Sequence, residues 1–428
     1  MHPSDTLPTP EDVTLPRRLA LVIGANGVLR LSGGASGVLV GLYLADLANQ
    51  GAVLSVALVG TLAAVSFGAE LIGAVPLGIL SDAVAPRFLM AGGALLAGGA
   101  TMAFGLTREV PVFFVSRALE GFAAAASMPA MLAHLSDATA ANAARRARVM
   151  SLFELSLLAG LALGGLAGSQ LWGAIGPRAF LVLAVAYAMG SVVLFLAGTG
   201  AQARGRHAAM AGFRRSLREP ALRQLAPIWL CMNVILGLWL GPTFVFLLTR
   251  ASASGQLLAG LLATAPQNVG WVLLAYSLVF GVGLAGWSVV LPRVTVSWAL
   301  RRSLVAMLVV SVGLLVLNHA AGQSLVLRWT LTACLALAVM VESGFTPAAL
   351  SLLAGAVGAQ AGRGAAMGIY SFLLSLGALL GNGIAGLLGQ RFAVDGLIVA
   401  TFVLATVALV LLSRLDRVLA NAPGRAIA

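Results

Sequence analysis

Charged side chains inside long apolar stretches are the residues of this sequence best able to do chemistry. A charged group that faces hydrocarbon is costly, so such residues normally face a protein interior or a water-filled cavity and mark paths for ions, protons or charged ligands. A buried carboxylate can take up and release a proton, and a nearby arginine can change how readily it does so. Six residues qualify: Arg30, Glu70, Arg117, Glu120, Glu154 and Glu342.

The composition predicts that most of the chain lies in a membrane. The 428 residues are 60% hydrophobic and only 9% charged, with a mean hydropathy of +1.00. Soluble domains carry about 25% charged residues, which excludes a soluble enzyme. Continuous apolar runs also exclude a β-barrel, whose strands alternate polar and apolar residues.

Apolar runs separated by polar breaks predict twelve transmembrane helices. The predicted spans cover residues 19–45, 53–80, 88–106, 111–135, 149–172, 178–198, 225–249, 269–291, 303–318, 326–356, 365–389 and 394–413. With a cytoplasmic N-terminus, 19 of the 26 basic residues, all arginine, fall in cytoplasmic segments, as the positive-inside rule expects. We therefore expect both termini to be cytoplasmic.

The longest polar break divides the predicted spans into two groups of six. The predicted fold class is an all-α membrane protein with twelve transmembrane helices in two six-helix pseudo-repeat bundles. The predicted segments are a cytoplasmic tail at 1–18, a bundle at 19–198, a basic cytoplasmic linker at 199–224, a second bundle at 225–413 and a cytoplasmic tail at 414–428.

The two halves match each other weakly in sequence. The aligned pairs are Gly160 with Gly377, Gly164 with Gly381, Asn26 with Asn233 and Gly34 with Gly241. Small residues four apart on a helix let two helix backbones approach closely. We expect the glycines to allow either simple helix packing or a rocking motion between helices.

The depth of the buried charges suggests which of them could meet. At 1.5 Å per residue, Arg30 and Glu70 each lie about 18 Å from the cytoplasmic face, so they could form a buried pair, structural or functional. Glu342 lies about 21 Å beyond Arg328, which is at the start of its span, and so lies near the midplane. Arg117 and Glu120 are three residues apart on one helix face and could simply neutralise each other.

Three segments resemble motifs of the major facilitator superfamily. The junction of the second and third spans is similar to the short G-x-x-x-D loop of that family at Gly78, Asp82 and Arg87. The residues between Asp82 and Arg87 depart from the family pattern and thin its basic cluster. In the fourth span, residues 117–121 resemble the R-x-x-(polar)-G motif.

The fifth span resembles the glycine motif of the antiporter branch of this superfamily. The matching residues are Gly160, Gly164 and Gly168, with Gly165 where the motif has a proline. The resemblance covers nearly the whole chain and implies the major facilitator fold, in which the first, fourth, seventh and tenth spans line a central cavity.

The buried charges, the internal repeat and the resemblance together suggest three kinds of role for residues of this sequence. Proton-coupling candidates are Glu342 and Glu120. Candidates for cavity charge or substrate binding are Arg30, Arg117, Asn26, Asn233 and Glu70. The candidate gating residues are Gly78, Asp82, Arg87, Gly160, Gly164, Gly168, Gly377 and Gly381.

The expected function is proton-coupled export of a small hydrophobic or drug-like compound by alternating access. Two intramembrane arginines leave open the uptake of a small organic anion or other metabolite, and a non-transporting membrane sensor is the alternative from another class. Metal-ligand and phosphate-binding spacings do not occur in the sequence, so we expect no enzyme activity. The two cysteines lie in apolar runs, so neither a cofactor nor a metal is expected.

The expected partners are a small-molecule substrate, protons and the lipid bilayer. Arginines scattered between apolar segments argue against a nucleic-acid partner. The absence of lysine and the abundance of alanine and glycine suggest a GC-rich bacterial genome, and hence a bacterial inner membrane. The resemblance implies a monomer.

Overall fold

In the computed structural model, the described residues are 16–139, 143–198, 220–252, 254–357 and 363–420, and every regular element in them is helical. Short 3-10 turns lie at Gly176–Arg178, Pro266–Asn268 and Leu291–Arg293. The α-helices are α1 Arg17–Asn49, α2 Val56–Ala83, α3 Pro86–Leu106, α4 Val110–Ala138, α5 Ala143–Ile175, α6 Ala179–Ala197, α7 Pro220–Trp239, α8 Pro242–Thr249, α9 Val269–Val290, α10 Val296–Asn318, α11 Leu325–Glu342, α12 Phe345–Val357, α13 Arg363–Phe392 and α14 Val394–Ala420.

Each predicted span corresponds to helical structure, which confirms the all-α membrane fold. Within the described residues, eleven segments are long and apolar enough to cross a membrane, and one of them, Ala162–Ala197, contains the end of the fifth predicted span and nearly all of the sixth. Only a 3-10 turn separates α5 from α6, so the two spans count as one segment by length and hydropathy.

Two predicted spans are each built from two helices rather than one. The seventh span consists of α7 and α8, and the tenth consists of α11 and α12. Pro242 begins α8, where its missing N–H costs nothing. In an unbroken tenth span the ring of Pro347 would clash with the carbonyl of Ser343, and the helix is interrupted at that point.

The chain folds into two compact units. The first comprises Met1–Leu39 and Ala69–Arg204, and the second comprises Val40–Gly68 and Gly205–Ala428. In the first unit, α3 packs against α4 and α6. A buried apolar cluster there includes Met90, Met131 and Phe153.

In the second unit, α7 packs against α13 and α14, and α10 packs against α11 and α14. The end of α1 and the start of α2 also belong to this unit. A Cβ atom at Gly41 would lie 2.7 Å from the Pro242 carbonyl oxygen, and one at Gly60 would lie 2.4 Å from the Gly386 Cα. These close backbone contacts explain why residues 40–68 pack with α8 and α13.

Parts of the predicted segment boundaries lie outside the described residues. These parts are residues 1–15 of the N-terminal tail, 199–219 of the linker and 421–428 of the C-terminal tail. Residues 414–420, predicted as tail, continue the helix α14. The division into bundles at 19–198 and 225–413 stays a prediction.

Candidate functional site

Arg117 and Glu120 form an ion pair on α4, inside the first unit. They lie one turn apart, and only 8% and 12% of their side-chain surfaces are exposed. The structure thus brings together two of the predicted site residues, and it does so by the mutual neutralisation that their spacing had suggested.

Two hydroxyl groups from other helices donate hydrogen bonds to Glu120. Its Oε1 atom accepts a hydrogen bond from Thr101 on α3 at 3.1 Å and one from Ser36 on α1 at 3.4 Å. The arginine contacts the other oxygen, Oε2. Hydrogen bonds to a charged group are stronger than those between neutral groups, so these contacts tie α1, α3 and α4 together. Nothing in the sequence marks Thr101 or Ser36 as a donor to Glu120.

Asn26 and Arg30, on α1, both face α5. The side-chain amide of Asn26 donates to the Ser156 hydroxyl, which in turn donates to the Phe153 carbonyl at 2.6 Å. The Arg30 guanidinium carbon lies 5.7 Å from the centre of the Phe153 ring, a cation–π distance. Glu70 is partly buried on α2, and its pairing with Arg30 stays a prediction.

The predicted glycine ridge on α5 is the surface that contacts α1. A Cβ atom at Gly160 would lie 2.5 Å from the Arg30 Cβ, and one at Gly164 would lie 2.5 Å from the Leu31 carbonyl oxygen. At Gly168 the corresponding distance to the Ala35 carbonyl oxygen would be 2.8 Å. No real Cβ atom fits at such distances, so the contact between α1 and α5 requires glycine.

A matching ridge on α13 contacts α7 in the second unit. A Cβ at Gly377 would lie 2.2 Å from the Asn233 Cβ, and one at Gly381 would lie 2.8 Å from the Gly237 Cα. The α1–α5 and α7–α13 contacts are therefore built alike.

The contacts correct the register of the predicted repeat. Gly160 faces Arg30, whereas Gly377, its aligned partner, faces Asn233. The structural counterpart of Asn233 is thus Arg30, one turn further along α1 than the predicted Asn26. The predicted match of Gly34 with Gly241 shifts in the same way, because Gly34 and Gly237 are the residues that face Gly164 and Gly381.

Asn233 is almost completely buried, with 2% of its surface exposed. Its side-chain nitrogen Nδ2 has no hydrogen-bond partner among the residues that the structure describes. A buried amide without a partner is costly, which keeps Asn233 a candidate for binding a polar group of a ligand or a water molecule.

Glu342 occupies a different kind of site, at the interruption of the tenth span. It is the last residue of α11 and is 6% exposed. Across the described parts of the chain, neither a hydrogen bond nor an ion pair reaches its carboxylate. Val339, one turn before it, and Phe345, at the start of α12, belong to two separate apolar clusters.

The backbone carbonyls beside Glu342 accept hydrogen bonds from neighbouring helices. The indole N–H of Trp287, on α9, lies 3.2 Å from the Met340 oxygen and 3.0 Å from the Val341 oxygen. The Ser303 hydroxyl, on α10, donates to the Val341 oxygen at 3.2 Å. Sequence analysis missed Trp287 and Ser303, since nothing local marks a donor to a distant carbonyl.

The predicted gating motif spans the turn between α2 and α3. Gly78 and Asp82 lie in the last turns of α2, and the Asp82 side chain lies outside what the structure describes. The Arg87 guanidinium carbon lies 4.9 Å from the ring centre of Phe88 and 5.5 Å from that of Phe195. A conformational lock through Asp82 stays a prediction.

The sequence of this chain was compared with the profiles of known protein families and with curated proteins. The sequence profile of the Major Facilitator Superfamily matches residues 22–327. No curated protein matches the chain in sequence.

Three solved structures share the fold at low sequence identity. A bacterial homolog of the human lysosomal transporter Spinster, crystallised in an inward-facing and unoccupied conformation, has a TM-score of 0.73 at 13% identity, over 96% of this chain and 100% of that one. The peptide transporter POT in complex with alafosfalin has a TM-score of 0.71 at 16% identity, over 94% and 95% of the two chains. The nucleoside transporter NupG has a TM-score of 0.69 at 12% identity, over 95% and 100%.

Proposed function

Because the chain belongs to the Major Facilitator Superfamily, it is a multi-pass membrane transporter and not an enzyme, and we propose that it exports a small hydrophobic or drug-like compound in exchange for protons. We further propose that it works in a bacterial inner membrane as a monomer with both termini in the cytoplasm. The structural neighbours are transporters of different substrates, so their likeness supports the fold and leaves the substrate to this chain's own residues.

The observation that carries the proposal is the state of Glu342. A carboxylate buried in a span, without a cation or a hydrogen-bond donor, is much less costly as the neutral acid than as the anion. Exposure of this residue to water in a second conformation would let it release the proton. Proton loading and release at Glu342 would then bias the equilibrium between two conformations, which is what coupled transport requires.

Glu120, the other proton-coupling candidate, has a lesser role in this proposal. Its carboxylate is already paired with Arg117 and accepts hydrogen bonds from two hydroxyl groups. We propose that Glu120 and Arg117 together hold α1, α3 and α4 in position, while Glu342 exchanges the proton.

The same ion pair weakens the case for uptake of an organic anion. That function was suggested by two intramembrane arginines, and Arg117 is already neutralised by Glu120. Arg30 packs on Phe153. Binding of an anion at Arg117 would have to displace Glu120, so we favour a hydrophobic or cationic substrate.

Transport assays in proteoliposomes test the proposed export. The vesicles have an acidic interior and a clamped membrane potential, and a permanently charged lipophilic cation is added outside. Because such a cation carries no titratable group, it cannot accumulate passively by protonation inside the vesicles. We expect the purified chain to accumulate the cation inside and protein-free vesicles not to. Accumulation of a carboxylate, with no response to any cation, would overturn the export proposal.

The role of Glu342 is tested in the same vesicles by varying the pH. We expect Glu342→Gln to abolish the pH dependence of transport, because an amide cannot take up a proton in this range, while Glu342→Asp retains it. Glu120→Gln, if it folds, serves as the comparison and should keep a pH-dependent rate. An unchanged pH profile in Glu342→Gln would remove Glu342 from the mechanism.

A further inference from the structure

The interruption of the tenth span leaves backbone carbonyls that must find donors outside their own helix. The last carbonyls of any α-helix have no partner within it. In a membrane there is no water to satisfy them, so interrupted helices persist only where the protein supplies donors or lines a cavity. At the end of α11, side chains of α9 and α10 supply donors, and the turn itself supplies the Ser343 hydroxyl and the Gly344 backbone N–H.

One indole N–H serves two of these carbonyls. Trp287 Nε1 lies within hydrogen-bond distance of the Met340 and Val341 oxygens, at 3.2 and 3.0 Å. Ser343 adds a hydroxyl that donates to the Met340 oxygen at 2.8 Å, and Ser303 adds one that donates to the Val341 oxygen. Both carbonyls immediately before Glu342 are thus held by side chains.

The turn between α11 and α12 is also tightly packed against α9. A Cβ atom at Gly344 would lie 2.2 Å from the Trp287 ring atom Cε2, so the backbone of the turn lies directly on the indole. A Cβ at Gly283, one turn before Trp287 on α9, would lie 2.4 Å from the Ser343 hydroxyl oxygen and 2.6 Å from the Met340 carbonyl oxygen. The turn therefore has little freedom to move while Trp287 stays in place.

We propose that Trp287 is a positioning residue for Glu342: its indole N–H and ring hold the interrupted backbone at residues 340–344 and so fix where the carboxyl group lies. This inference rests on the proposed proton exchange at Glu342. The titratable group that interacts electrostatically with Glu342 from α9 is the Tyr276 phenol, and the variants described below leave it unchanged. Movement of α9 relative to α11 would break the two indole contacts together, and the turn that carries Glu342 would be released with them. Access of water to the Glu342 carboxyl group then depends on the contact between the Trp287 indole and the backbone, which does not involve the carboxyl group itself.

The chain offers a matched control for removing this indole N–H. Trp239, in the same unit, donates its indole N–H to the Thr401 hydroxyl on α14 at 2.8 Å. That hydroxyl also donates to its own helix, to the Leu397 oxygen, so it keeps a partner when Trp239 is replaced. Trp239→Phe and Trp287→Phe each remove one indole donor and keep an aromatic ring.

Two measurements on the full chain in proteoliposomes separate positioning from simple structural support. The first is the pH profile of transport. We expect Trp287→Phe to move its midpoint and to lower the rate about tenfold, within the range for loss of a hydrogen bond to a buried acceptor, whereas Trp239→Phe leaves the midpoint unchanged. In a Glu342→Gln background, Trp287→Phe should have no further effect on the pH profile.

The second measurement is the rate at which dicyclohexylcarbodiimide modifies Glu342, followed by mass spectrometry of the peptide. This reagent reacts with protonated carboxyl groups in apolar surroundings. We expect the rate to change several-fold in Trp287→Phe and to stay the same in Trp239→Phe. The positioning role is overturned if a folded Trp287→Phe variant has both the pH midpoint of transport and the modification rate of the wild-type protein.

The two readouts also separate this inference from the proposed function. If transport by the wild-type protein does not depend on pH, the proton-exchange proposal fails. The carbodiimide rate at Glu342 still reports whether Trp287 positions the carboxyl group. Should Trp287→Phe not fold, Trp287→His, whose smaller ring does not fill the space of the indole, provides the second variant. An altered modification rate in it supports the proposal, and the wild-type rate overturns it. The link to proton exchange can fail separately. It is contradicted if a folded Trp287→His variant shows an altered rate of Glu342 modification and yet keeps the wild-type pH midpoint, as Trp239→Phe is expected to do.

Discussion

Glu120 and Glu342 are both carboxylates within membrane-spanning segments, and the structure gives them opposite surroundings. Glu120 lies in the middle of a continuous helix and contacts one arginine and two hydroxyl groups. Glu342 ends a helix at an interruption of its span, and its carboxylate has no hydrogen-bond or ion-pair partner among the described residues. At the first site the carboxylate itself has partners. At the second site only the backbone carbonyls beside the carboxylate have them.

The difference shows how one chain can use the same functional group for two purposes. Breaking a satisfied buried ion pair leaves an uncompensated charge, which is strongly destabilising. A carboxyl group without partners loses little when it changes its protonation state, provided that water can reach it in one conformation. We therefore expect substitutions at the two sites to separate stability from proton coupling.

The largest stability effect should follow removal of the cation at the first site. Arg117→Leu leaves Glu120 buried without its counter-charge, and we expect a loss of about 3 to 5 kcal/mol in the free energy of unfolding. Denaturant unfolding in detergent micelles measures it. Arg301→Leu is the control, because its ion pair with Asp416 is more exposed and contributes at most about 1 kcal/mol.

A second variant makes the first prediction specific. Arg117→Leu combined with Glu120→Gln removes both charges, so most of the lost stability should return. If Arg117→Leu alone is as stable as the wild-type protein, the pair contributes nothing to the fold, and Glu120 returns to the list of proton carriers.

Replacing Glu120 by glutamine should lower stability, whereas the same replacement of Glu342 should not. Glu120→Gln exchanges a paired carboxylate for an amide and leaves Arg117 without its counter-ion, which we expect to cost about 1 to 3 kcal/mol. Glu342→Gln removes a carboxyl group without partners, so stability should stay the same or increase. Both are measured by unfolding at one pH, and equal losses at the two positions would show that the sites do not differ as proposed.

The sequence predicted the helices well because hydrocarbon thickness sets a long, local signal. It did not predict the two interruptions, although Pro242 and Pro347 mark them. Proline alone is not diagnostic in this chain, since Pro76 and Pro129 lie inside continuous helices. Whether a proline interrupts a span depends on donors such as Trp287, which lie far away in sequence.

The candidate site was predictable to a similar degree. Intramembrane charges are rare enough that their positions within apolar runs marked Arg117, Glu120 and Glu342 as candidates. The partners of Glu120 could not be foreseen, because Thr101 is an uncharged residue on another helix. The repeat register was also beyond the sequence: a shift of one turn, from Asn26 to Arg30, keeps the same helix face, and only the contacts with the facing glycines decide it.

A smaller effect should follow loss of the hydroxyl donor from α3. Thr101→Val keeps the shape of the side chain and removes the hydrogen bond to Glu120, for which we expect a loss of about 1 to 2 kcal/mol. Thermal or denaturant unfolding detects it. Thr406→Val is the control, since that exposed hydroxyl bonds only to its own helix. A neutral Thr101→Val would mean that the arginine alone satisfies the carboxylate.

The smallest effect should come from the hydroxyl donor on α1. Ser36 lies 3.4 Å from the Glu120 oxygen, longer than the 3.1 Å of Thr101, so we expect Ser36→Ala to cost less than Thr101→Val, about 0.5 kcal/mol. Ser311→Ala, which removes a buried hydroxyl bonded to its own helix, is the control. In an Arg117→Leu background the cost of Ser36→Ala should grow, because each remaining donor then matters more to an uncompensated carboxylate. Equal costs in the two backgrounds would show that Ser36 does not act on Glu120, and the contrast between the two glutamates would then rest on Arg117 and Thr101 alone.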